Sequence, residues 1–171
     1  MLTPDWLLQS TTTRDEDVCA IVLAAGATWD AVRTPAAMGR PVLDRILASP
    51  ADAALLGPVL EDTLDGALYW LVSPGSSDDY PEGVRLLGAG SWIAVPAPEA
   101  TRSRSTWVHL PEGRNVTSAP WLATALSEWV EVNDLMTDAY RGHLTPTSWR
   151  RLDELSQRMN APEGSPQRDR A

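Results

Sequence analysis

The stretch "GVRLLGAGSWIAVPAP", Gly83–Pro98, decides how this chain folds. Two glycines interrupt apolar runs, so it reads either as a loop that cradles a phosphate or as a tight turn between strands. A phosphate loop needs backbone amides that can approach oxygen, followed by a helix N-terminus aimed at the anion. Here "GAGSW" runs straight into a β-prone segment that Pro96 stops, and the chain contains no lysine to reach a phosphate. The stretch therefore predicts strand, turn, strand, with Gly88 and Gly90 in the turn. In the second strand Trp92 and Ala94 alternate with Ile93 and Val95. Both faces are apolar, which predicts an inner strand.

Working outward, "VCAIVLAAG" (Val18–Gly26) is a continuous apolar run closed by glycine, as expected of a strand covered on both faces. "TWDAVRTP" supplies a short strand ended by Pro35. Met38, Val42, Leu43, Ile46 and Leu47 then recur at helical spacing until Pro50. "GPVLEDTLDGALYWLVSPG" reads as a hairpin, because Asp65-Gly66 is the dipeptide that a type I′ turn demands. "STWVHLP" adds a further strand. Beyond it the period changes: Leu122, Leu126, Trp129, Val132, Met136 and Tyr140 mark one face of a long helix starting near Ser118. Thr145-Pro146 is an N-cap and first-turn pair for a second helix with Trp149, Leu152, Leu155 and Met159 as its stripe.

The expected architecture is α/β (α+β), a mixed or mostly antiparallel sheet flanked by helices, with a C-terminal helical hairpin. The expected organisation is a flexible arm over 1–14, an α/β core over 15–117, the hairpin over 118–160 and a disordered tail over 161–171.

Composition narrows the function. The formal net charge is −9, and a nucleic-acid-binding domain normally presents a basic face to phosphates, so the balance argues against nucleic acid as a partner. One cysteine, Cys19, makes no intrachain disulfide and reads as a small core residue of a protein in a reducing compartment. No basic start with a long apolar segment opens the chain, and no run is long enough to span a membrane. The expectation is a cytoplasmic protein without membrane association. All 14 basic residues are arginine and phenylalanine is absent, the mark of a GC-rich, actinobacterial type of genome.

Two resemblances carry chemistry. "AIVLAAG", with "GRPVLDRIL" further on, is similar to the start of the sugar- and molybdopterin-nucleotidyltransferases. The arginine and lysine that hold the triphosphate there are replaced by "ATWDAVRTPAAM", removing the charges that stabilise a transferring phosphoryl group.

The second covers roughly Val18–Leu126. The order "VCAIVLAAG", "TWDAVRTP", helix, "GPVLEDTLDGALYWLVSPG", "GVRLLGAGSWIAVPAP", "STWVHLP" resembles the bifunctional DNA primase/polymerase domain, in its divergent actinobacterial form. Gly88, Gly90, Trp92, Val95, Pro96, Pro98 and Trp107 match the family's Gly-turn, Pro-terminated strand and aromatic strand. The family's N-terminal helix has no counterpart, so a truncated domain is expected. The resemblance implies two divalent ions held by an Asp-x-Asp pair and a third acid, and a histidine on the nucleotide phosphate. In this sequence Asp30 has Val32, not an acid, two residues on. The histidine position falls near Leu68, and "VRLLG" (Val84–Gly88) has no acid. Asp30 is left as the single metal candidate, with no catalytic residue and no cofactor expected.

The leading expectation is thus a catalytically degenerate primase/polymerase-like protein that works as a binding or regulatory module. The alternatives are an active nucleotidyltransferase using a nucleoside triphosphate and divalent metal, and a non-catalytic nucleotide- or DNA-binding module.

The remaining chemistry-bearing residues have plain readings. The acidic groups at Asp15–Asp17, Glu61-Asp62 and Asp78-Asp79 read as solvated loop ends. His109 reads as a sheet-edge residue and His143 as a helix C-terminal residue meeting the last carbonyls. Arg102 and Arg104 in "TRSRS" are the best candidates for a phosphate contact. Tryptophan is more informative: burying one removes on the order of 200 Å² from water, worth about 5 kcal/mol before entropy. A core of this size houses five or six of the eight. Trp6 and Trp149 are left seeking cover, which points to a protein partner or a homodimer.

Overall fold

The computed structural model describes residues 12–15, 20–76, 79–96, 104–113 and 115–160. Its strands are β1 (Thr12–Asp15), β2 (Ala20–Ala24), β3 (Asp30–Pro35), β4 (Val59–Asp62), β5 (Ala67–Val72), β6 (Arg85–Leu87), β7 (Trp92–Pro96) and β8 (Ser105–His109). The helices are α1 (Ala36–Ala48), α2 (Pro50–Leu55), α3 (Ala119–Tyr140) and α4 (Pro146–Asn160). The strands form a three-stranded sheet, β1-β2-β7, and a five-stranded sheet, β6-β3-β5-β4-β8. Every ladder is antiparallel, with one parallel bridge between Val72 and Thr117. This is the α/β architecture with a C-terminal helical hairpin. The chain divides into two compact units, Met1–Ser127 and Glu128–Ala171.

In the first unit the central strand is β5, whose run "ALYWLV" is covered on both faces, as a near-continuous apolar strand should be. Ala31, Leu60 and Leu71 point to one side and join Ile21, Leu23, Ile93 and Val95 of the small sheet, with Trp29 and Trp107 filling the space between. On the other side Trp70 donates its indole N–H to Thr34 Oγ1 at 3.0 Å. Helix α1 crosses here, and Gly39 is the residue that lets it: a Cβ there would strike Thr34 Oγ1. Val42, Leu43 and Ile46 form its buried stripe.

Several expectations need correction. "GVRLLGAGSWIAVPAP" is strand, turn, strand, but its strands do not pair with each other: β6 joins β3 in the large sheet, and β7 joins β2 in the small one. The Gly88–Ser91 turn is where the chain changes sheets. Ser91 N–H closes it onto the Gly88 carbonyl at 3.0 Å, and Gly90 takes φ +89°. Strand β7 is an edge, not an inner strand, and Trp92 is exposed on its outer face; periodicity reports apolarity and cannot tell cover from its absence.

The β4–β5 hairpin has a four-residue loop, Thr63–Gly66, not a two-residue type I′ turn. Asp62 Oδ1 accepts from Leu64 and Asp65 N–H, holding a tighter local turn before Gly66 takes φ +58°. Pro50 ends α1 but also starts α2 from its first position, with Ser49 Oγ accepting from Asp52 N–H at 3.3 Å. The expected arm over 1–14 ends in structure: Thr12, Thr13 and Arg14 pair with Leu23, Val22 and Ile21, β-branched threonines favouring the extended chain. Residues 1–11, Cys19 and the expected tail over 161–171 lie outside the described residues.

In the second unit, the later part of α3 and α4 run antiparallel. Arg151 bonds Glu131 through Nε and Nη2 at 2.6 and 2.8 Å, and Arg158 pairs with Glu128 at 3.2 Å. Between them the end of α3 is closed by Gly142, at φ +72°, with Gly142 N–H on the Ala139 carbonyl and His143 N–H on the Asp138 carbonyl. This is the Schellman pattern. His143 meets the last carbonyls through its backbone.

Candidate functional site

The first place to look is Asp30, which opens β3. Its side chain is only 3% exposed. Oδ2 accepts from Gly75 N–H at 2.8 Å, so the carboxylate ties down the loop after β5. Oδ1 is buried without a hydrogen-bond partner among the described residues and faces Gly88, where a Cβ would lie 3.5 Å away. Asp30 thus packs beneath the Gly turn quoted above, which leaves that turn no room to act as an open cradle. Gly26, at φ +99°, backs onto Ala89 of the same turn.

The sheet register puts the other positions at issue on one face with Asp30. Val32 lies opposite Trp70 and Leu86, and Leu68 lies opposite Thr34. Val32 and Leu68 are buried. This face carries two carboxylates, Asp30 where β3 begins and Glu61 opposite Leu68, four register positions apart along β5, with hydrocarbon at Val32 and Leu68 between them. Among the described residues no three of His, Cys, Asp or Glu come together in a way that could hold a metal ion.

The acids at the end of β4 are not solvated loop ends. Glu61 and Asp62 are both buried, each answered by an arginine: Glu61 by Arg40, Asp62 by Arg104 at 2.9 Å. Arg104, expected as a phosphate contact, is therefore engaged with Asp62; Arg102 lies outside the described residues. A third group stands at the same end of the sheet. Arg33 Nε and the Tyr69 hydroxyl both donate to Asp65 Oδ2, at 2.9 and 2.8 Å. The Tyr69 and Arg33 bonds hold the Asp65 carboxyl below its usual range, while burial and then the Asp65 bond push the Tyr69 hydroxyl up. Each of the three carboxylates already has a donor, so the cluster braces the β4–β5 loop.

His109, on the edge strand β8, is half-buried, and burial holds its imidazole below the ordinary histidine range. An open groove of about 580 Å³ is lined by Ala54, Leu55, Asn115, Val116, Ser118 and Trp121. Its walls hold no charged group.

The tryptophans divide clearly. Trp29, Trp70 and Trp107 are buried, fewer than the five or six expected, and Trp121 and Trp129 are half-buried. Trp149 is 56% exposed, and on α3 Met136 and Tyr140 are 55% and 94% exposed. Helical spacing puts Met136 and Tyr140 in line with the buried residues of α3, but they belong to its last turns, where the stripe has lost its cover. Trp6 lies outside the described residues. No family model, no curated protein and no solved structure matches the chain.

Proposed function

We propose that the protein is a catalytically degenerate relative of the primase/polymerase domain that now works as a binding or regulatory module, engaging a protein partner through its C-terminal helices. The observation that carries the reading is the pairing of two features. The sheet face where a two-metal polymerase would need clustered oxygen donors holds Val32, Leu68 and Leu86, and its two acids stand apart and engaged, Asp30 on a backbone amide and Glu61 with Arg40. The largest exposed apolar side chains of the second unit, Tyr140, Trp149 and Met136, have no such internal duty. Mg²⁺ is held by one or two carboxylates together with substrate phosphates and water, and a pair of ions needs such carboxylates converging on one spot. Asp30 and Glu61 stand four register positions apart and do not converge.

The test is thermal stability measured with a nucleoside triphosphate, with and without Mg²⁺ or Mn²⁺. A ligand at about 100 times its dissociation constant stabilises by about 2.7 kcal/mol. The expected result is no shift. A metal-dependent rise in melting temperature overturns the reading in favour of a nucleotidyl-transfer enzyme, and a metal-independent rise in favour of a nucleotide-binding module.

A further inference from the structure

Resting on the reading of the helical hairpin as the interaction element, we infer that the partner is a second copy of this chain, the two hairpins meeting face to face as a four-helix bundle. Three observations converge on this.

The first is where the charges are. At 100° per residue, Trp149 lies roughly 160–180° around α4 from Arg151 and Arg158, and Met136 and Tyr140 lie roughly 140–180° around α3 from Glu131. Arg151–Glu131 and Arg158–Glu128 bridge the two helices, and Trp149, Met136 and Tyr140 lie to the side of those bridges, Met136 roughly 80° and Tyr140 roughly 120° around α3 from Glu128. Neither bridging arginine lies on that side, and Arg150 stands roughly 100° around α4 from Trp149. The carboxylate nearest Trp149 on α4, Asp153, accepts from Gln157 Nε2 at 2.7 Å. An identical face meets this one across tryptophan, tyrosine and methionine.

The second is the incomplete core of the second unit. Of the described residues in its two helices, Leu152 and Leu155 are buried, while Trp129, Val130, Val132 and Leu135 keep part of their surface exposed. Two helices have one seam between them; a second pair supplies the layer that a helical core needs.

The third is area. The exposed parts of Trp149, Tyr140 and Met136 together offer about 400 Å². That is half of the roughly 800 Å² that each partner contributes to a standard interface. A two-fold axis through the face makes the contact isologous, so each tryptophan meets the other copy's α3 and the assembly closes at two.

Sedimentation velocity of the full chain across a concentration series reads the result. The expected mass at high micromolar concentration is double the 18.6 kDa of one chain. A W149A/Y140A variant is expected to sediment as a monomer with an unchanged circular-dichroism spectrum, since both side chains are exposed, and M136D is expected to do the same. R151A, on the ion-pair face, is expected to remain dimeric. A monomeric wild type overturns the inference, as does a dimer that survives both W149A/Y140A and M136D. Should the wild type be monomeric and also unresponsive to metal and triphosphate, only the second copy is refuted and the binding-module reading stands. A metal-dependent triphosphate response refutes that reading whatever the mass.

Discussion

Trp70 and Trp149 are the same side chain with opposite fates. Trp70 sits on the central strand of the five-stranded sheet, with neighbours on both sides, a helix above it and Thr34 to take its indole N–H. Trp149 sits on the first turn of α4, and more than half of it is exposed. A sheet layered between a second sheet and a helix covers a strand from two directions; a two-helix hairpin covers each helix from one. The difference shows how topology, more than residue type, decides which aromatic groups become core and which become surface.

The largest expected effect comes from removing the covered member. Trp70→Ala deletes a buried aromatic and strands the Thr34 hydroxyl, so it should cost about 3–5 kcal/mol. Chemical denaturation should show the loss, and a cost below that of an ordinary surface change would break the contrast. Next comes Asp62→Ala. It leaves Arg104 and the Leu64 and Asp65 amides without their acceptor, and hydrogen bonds to a charged group are worth roughly 1.5–3 kcal/mol. A destabilisation of about 2 kcal/mol is expected, with Asp62→Asn recovering part of it because the amide keeps one acceptor oxygen.

A smaller effect follows from pH. Because burial depresses the His109 pKa in the folded protein, the unfolded chain binds the proton more readily. Stability should therefore be fully present above the ordinary histidine range and decline as pH falls through it. His109→Phe should flatten that part of the melting-temperature profile, and a slope equal to that of the wild type would remove His109 as its cause. The smallest effect belongs to Trp149→Ala, expected to change stability by no more than about 0.5 kcal/mol at a protein concentration low enough for the wild type to be monomeric. A large loss on denaturation would mean that Trp149 is core after all.

Most elements of the fold could be read from residues. "ALYWLV" announces a strand covered on both faces, Thr145-Pro146 announces the start of α4, and Thr145 Oγ1 indeed accepts from Ser148 N–H at 3.1 Å. Pairing was less legible. The four residues between Leu87 and Trp92 look like a hairpin turn, yet they carry the chain from one sheet to the other. A local reading sees the turn and not its destination. The same limit hid the site chemistry. Glu61 and Asp62 look like surface acids because their arginines, Arg40 and Arg104, stand 21 and 42 positions away in the chain.

What the sequence determined by itself is the period and punctuation of each element and the lack of acids at Val32, Leu68 and Leu86, because side-chain chemistry and backbone preference act within a few residues. Only the tertiary structure decided that Asp30 is locked beneath the Gly turn, that β7 is an edge, and that Trp149 and Tyr140 stay exposed. Those outcomes depend on which distant segments come to lie together, and burial is a property of that assembly.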